Sequence, residues 1–99
     1  MKKYYFLAIT TNPQQSINSM INLGIYYSQI DDTENMMKYF LMAVEINNND
    51  DDVLNIIGIE YERRNDIENM MKYYNLSADL GNTFAMINIG NYYHKIKDH

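Results

Sequence analysis

The stretch Asp66-Ile67-Glu68-Asn69-Met70-Met71-Lys72-Tyr73-Tyr74 is nearly a copy of Asp32-Thr33-Glu34-Asn35-Met36-Met37-Lys38-Tyr39-Phe40. Six consecutive residues, Glu-Asn-Met-Met-Lys-Tyr, recur unchanged at an interval of 34 residues. A fixed period between about 20 and 50 residues marks an array of structural repeats, each a unit that buries its apolar face only by stacking on a neighbour.

A second signature precedes each copy. Met20-x-x-Leu23-Gly24-x-x-Tyr27 recurs as Leu54-x-x-Ile57-Gly58-x-x-Tyr61 and as Met86-x-x-Ile89-Gly90-x-x-Tyr93. A glycine inside a helix costs about 1 kcal/mol against alanine. Three at one register therefore predict a task, which is to let a paired helix approach closely. The tyrosine three residues on shares that face and fills the space beside the gap.

Apolar residues recur at helical spacing along most of the chain, and no alternating pattern of strand length occurs. The pattern predicts helices over about 1–11, 16–29, 34–46, 53–64, 67–80 and 84–96. Asn12-Pro13 ends the first, Ser16 caps the second, and Gly81-Asn82 stops the fifth. The expected fold is all-α, a right-handed α-solenoid of antiparallel helix pairs in a single domain. Its parts are the second helix of a partial repeat (1–16), two repeats (17–50 and 51–82), and the first helix of a partial repeat (83–99).

Large-x-x-Leu-Gly-x-x-Tyr, followed by a small residue-x-x-x-aromatic and then proline, resembles the tetratricopeptide repeat. Met36-x-x-x-Phe40 with Ala43, and Met70-x-x-x-Tyr74 with Ser77, supply the second half. Lys38-Tyr39-Phe40 and Lys72-Tyr73-Tyr74-x-x-x-Ala78-x-x-Gly81 are also similar to the related Sel-one-like repeats. Lys3-Tyr4-Tyr5-x-x-Ala8 matches Lys38-Tyr39-Phe40-x-x-Ala43, and Pro13 falls where the tetratricopeptide pattern places its proline. The usual tryptophan is replaced by Met20, Leu54 and Met86, and the usual alanine by Met36 and Met70. The larger methionines predict looser or shifted helix packing.

Net charge is −5 with no basic cluster, which disfavours nucleic acid, since phosphate binding needs a Lys/Arg patch. Cysteine is absent, so disulfides, thiol nucleophiles and Cys-zinc sites are excluded, and a reducing, cytoplasmic compartment is favoured. No apolar run approaches a membrane span, so no membrane partner is expected. The apolar part of Met1–Ile9 is too short for a signal peptide. His94 and His99 are five residues apart, the wrong spacing for a helical metal pair. Asn48 to Asp52 lacks the glycine and glutamate of a calcium loop, and reads as a solvated inter-repeat loop. Asp31, Asp32 and Glu34, like Asp66 and Glu68, fall where acids cap a helix and complement its dipole. The tyrosines sit at repeated registers and read as helix packing. No metal, cofactor or catalytic pattern is left, so an enzyme is not expected.

The resemblance implies a non-catalytic scaffold or adapter that binds a protein or peptide on the first helices, on the side away from the paired helix. By register those residues are Asn18, Ile21, Ile25, Ser28 and Gln29. The middle helix adds Asp52, Asn55, Ile59, Glu62 and Arg63, and the last adds Phe84, Ile87, Asn91, His94 and Lys95. The family's clamp for chaperone C-termini needs Lys/Arg and Asn at matched places on adjacent helices, and Ile21 with Ile25 and Asn55 with Ile59 do not supply it. The acidic balance favours basic partners. The alternative reading is a structural fragment of a longer array that stacks end to end with further repeats or copies of itself.

Overall fold

The structure is a computed structural model and describes residues 13–47 and 49–97. Among these residues there are five helices and no strand: α1 (Pro13–Gln29), α2 (Thr33–Ile46), α3 (Asp51–Arg63), α4 (Ile67–Asp79) and α5 (Thr83–Lys97). The all-α expectation holds. The chain divides between residues 48 and 49 into two compact units. The first unit contains α1 and α2, and the second contains α3, α4 and α5.

The helix expected over 1–11 lies outside the described residues. Pro13 opens α1. Proline suits the first helical position because its missing N–H is one that the helix leaves unpaired anyway. Ser16 is therefore not the cap expected of it; it is buried within α1. The expected repeat boundary at 16/17 falls inside this helix. The loop expected over Asn48–Asp52 is also shorter than predicted. Asp50 caps α3 by accepting from the Val53 N–H at 3.1 Å, and Asp51 and Asp52 form the first turn. There they oppose the positive end of the helix dipole.

Three helix-to-helix turns share one design. The residue before each cap has positive φ: Asp31 (60°), Asn65 (61°) and Gly81 (96°). Asn, Asp and Gly are the residues that tolerate this region. The next residue donates its N–H five positions back, Asp32 to Tyr27, Asp66 to Tyr61 and Asn82 to Ser77. That bond closes a Schellman-type helix end. The same residue then caps the following helix with its side chain, accepting from the N–H of Asn35, Asn69 or Ala85. Asn35 and Asn69 also donate their side-chain amides to the capping aspartates at 2.8 and 2.9 Å. The opening residues of the repeated stretch are therefore a capping device.

The rest of the repeated stretch packs. Met36 and Met70 are buried. Phe40 lies against Gly24, and Tyr74 against Gly58. A Cβ on Gly58 would sit 2.5 Å from Tyr74 Cδ1, so the space the glycine leaves is filled by the aromatic ring. Tyr39 stacks on Tyr27 and Tyr73 on Tyr61, each with ring centres 5.7 Å apart. Lys38 and Lys72 lie over the Tyr39 and Tyr73 rings at 5.5 and 5.3 Å, within cation–π range. As the position rises in one helix it falls in the other, so α1/α2 and α3/α4 are each antiparallel hairpins. Ile17, Met20 and Ala43 complete the core of the first unit, joined by half-buried Ile21 and Met42.

Candidate functional site

The site residues read from the sequence lie on the exposed sides of α1, α3 and α5. Asn18, Ile25, Ser28 and Gln29 are exposed on α1, whereas Ile21 is half-buried against the core. On α3, Asp52, Ile59, Glu62 and Arg63 are exposed and Asn55 is half-buried. On α5, Phe84, Ile87, Asn91, His94 and Lys95 are all exposed. Ile25 and Ile59 occupy equivalent registers, and Ile87 follows the register of Ile21.

In the second unit these residues belong to a bonded framework. Asn88 Nδ2 donates to Asn55 Oδ1 at 3.0 Å and ties α5 to α3. Asn82 Nδ2 donates to Asp51 Oδ2 at 2.8 Å and to Asp52 Oδ1 at 3.1 Å. Ser77 Oγ donates to the Asp51 carbonyl at 2.7 Å. The start of α3 is thus held by the end of α4 and the cap of α5. The carboxylates of Asp50, Asp51 and Asp52 lie within 4.8 Å of one another. The Val53 and Asn82 bonds account for that cluster structurally.

Glu62 accepts from the Tyr74 hydroxyl at 2.6 Å. Burial, then the hydrogen bond to Glu62 and that carboxylate's charge, push the Tyr74 phenol well above its ordinary value of 10.0. Tyr61 is raised too, by burial first and then by neighbouring Tyr73 and Asp66. Glu62 also lines a cavity of about 230 Å³ with Asn65, Ile67, Tyr92, Lys95 and Ile96, between the ends of α3 and α5. Glu60 is 7% exposed and was not singled out from the sequence. It pairs with Arg64 Nε at 3.0 Å and with Arg63 at 3.4 Å. Asn82 was read only as part of a helix stop. The signal for its capping role was its place 32 residues after Asp50, matching the interval between Gly58 and Gly90.

None of these groups forms a nucleophile–base pair, and the acidic residues named above serve caps, clamps and ion pairs. The arrangement presents exposed aliphatic side chains beside polar ones on α3 and α5, which suits binding. Among the described residues, no helix is long and apolar enough to cross a membrane. Residues 17–50, comprising most of α1, all of α2 and the residues leading to α3, match the tetratricopeptide repeat family. With that match, the five helices of the described residues, packed as α1/α2 and as α3/α4 and α4/α5, support a tetratricopeptide-like helical repeat fold. No curated protein and no solved structure matched it.

Proposed function

We propose that this chain is a non-catalytic scaffold or adapter that binds a protein or peptide through the outward face of its first helices. The observation that carries this reading is the exposure of Ile59 and Ile87 on α3 and α5, two helices fixed to each other by the Asn55–Asn88 hydrogen bond. Exposed aliphatic side chains on a pre-organised surface bind without an ordering cost. Glu62 and Lys95 give its far end both charge signs around the 230 Å³ cavity. The net charge of −5 favours basic ligands and speeds their encounter, an effect that salt weakens. The partner is thus an apolar peptide segment with basic flanks, and nucleic acid and membrane are not partners. The lack of cysteine fits a cytoplasmic setting.

The test is selection of binders from a random peptide library, followed by titration of the best against Ile59→Lys and Lys38→Glu. Ile59→Lys weakens binding at least about tenfold with an unchanged circular dichroism spectrum, because it places a charge in an apolar contact. Lys38→Glu, on a second helix, leaves binding intact. Loss of binding with Lys38→Glu and its survival in Ile59→Lys would overturn the assignment.

A further inference from the structure

Among the described residues, no helix covers the face of α5 that carries Gly90. Nothing among the described residues lies within 4 Å of where a Gly90 Cβ would sit. The equivalent places on α1 and α3 are filled by Phe40 and Tyr74. The flanking residues differ in the same sense. Met20 and Leu54 are 1% and 0% exposed, but Met86 at their register is 48% exposed. Tyr93 is 50% exposed, whereas Tyr27 and Tyr61 each have a stacked partner on the paired helix. α5 thus has the surface of a first helix on which no described residue packs at the Gly90 register.

A sequence that matches a second helix occurs at residues 1–8. Met1-Lys2-Lys3-Tyr4-Tyr5-Phe6-Leu7-Ala8 aligns without gaps on Met36-Met37-Lys38-Tyr39-Phe40-Leu41-Met42-Ala43. Tyr5 stands where Phe40 covers a glycine, Tyr4 where Tyr39 stacks on Tyr27, and Ala8 where Ala43 joins Met20. We infer that residues 1–11 of a second copy of this chain dock on this face of α5, with Tyr5 at Gly90, Tyr4 at Tyr93 and Ala8 at Met86. The contact is head-to-tail, so each dimer keeps one uncovered α5 face and one unused copy of residues 1–11, and association continues to longer assemblies. This surface differs from the peptide-binding face, so the inference stands apart from that reading.

Sedimentation velocity over a wide concentration range tests it on the intact chain. The wild-type average mass rises at least twofold above the 11.8 kDa of one chain as concentration increases. Gly90→Leu fills the cradle and keeps the chain monomeric, with an unchanged circular dichroism spectrum because no side chain contacts Gly90. Tyr5→Ala does the same from the other end. A mixture of the two variants forms a 1:1 dimer and stops there, because each supplies the end the other lacks. A wild type monomeric at all concentrations overturns the inference, as does association that survives Gly90→Leu or a mixture that stays monomeric.

Discussion

The Tyr74 hydroxyl donates a 2.6 Å hydrogen bond to Glu62, one helical turn beyond the glycine its ring covers. The other hairpin handles the same two positions differently. Phe40 replaces Tyr74 and has no hydroxyl, and Ser28 replaces Glu62 and turns its own hydroxyl to the Ile25 carbonyl at 2.6 Å. The two repeats therefore differ at both members of the pair together. Where the ring carries a donor, the facing helix carries an acceptor.

Tyr74→Phe accordingly costs only about 1 kcal/mol near neutral pH, the net value of one hydrogen bond whose exposed acceptor returns to water. At alkaline pH the comparison changes. The Tyr74 phenol holds its proton more tightly folded than unfolded, so its contribution is complete below about pH 10 and is lost as pH rises beyond that. Tyr61 is raised as well, so some alkaline loss remains in the variant. Urea midpoints at about pH 8 and about pH 10.5 should fall further in the wild type than in Tyr74→Phe. An equal fall in both would show that the Tyr74 proton is not linked to folding.

The three repeated glycines are not equivalent. Gly58→Leu forces a side chain into the Tyr74 ring, and overpacking of this kind costs about 1–3 kcal/mol. Gly90→Leu meets nothing, and gains up to about 1 kcal/mol of helix propensity. Asn49→Leu, at an exposed position between α2 and α3, stays within about 0.5 kcal/mol. Thermal melts should rank Gly58→Leu far below the other two. Equal melting shifts for Gly58→Leu and Asn49→Leu would remove the close-packing role of the glycine.

Glu60 gives a third comparison. Its carboxylate is nearly buried, with Arg64 at 3.0 Å and the more exposed Arg63 at 3.4 Å. Truncating the partner of a buried charge costs more than the pair contributes, because the charge is left without compensation. Arg64→Ala should destabilise by about 1–2 kcal/mol and Arg63→Ala by less than about 0.5 kcal/mol, since surface pairs are worth little. The reverse order in chemical denaturation would mean that Arg63 is the partner that matters.

The hairpins were legible in the sequence because repetition exposes register. Gly24 with Phe40 and Gly58 with Tyr74 hold the same interval, and one packing rule explains both. The same rule taken alone gives too much for Gly90, where a glycine of the right register faces no helix among the described residues. Ser16 was misread because a serine before an apolar run resembles a cap, whereas Pro13 starts the helix a turn earlier. The bonds from Asn88 to Asn55 and from Asn82 to Asp51 and Asp52 join positions some 30 residues apart that do not share a register. Such bonds depend on how α5 lies against α3, which period and spacing do not specify. The outward register of Ile25 and Ile59 followed from the inward register of Gly24 and Gly58, since a helix that buries one side exposes the other.

Asn82 concentrates more of the second unit's polar bonding than its single side chain suggests. It is buried, its Oδ1 accepts from the Ala85 N–H at 2.8 Å, and its Nδ2 donates to both Asp51 and Asp52. Losing a helix cap costs about 1 kcal/mol, and removing a donor shared by two carboxylates adds to it. Asn82→Ala should therefore lower stability by about 2–3 kcal/mol. Asn82→Asp separates the two roles. It keeps the oxygen that caps α5 but replaces the amide donor with a third negative charge beside Asp51 and Asp52. If the clamp matters, Asn82→Asp is at least as destabilising as Asn82→Ala, and added salt restores part of its loss by screening the repulsion. If Asn82→Asp retains wild-type stability at low salt, capping alone explains the residue and the clamp contributes nothing.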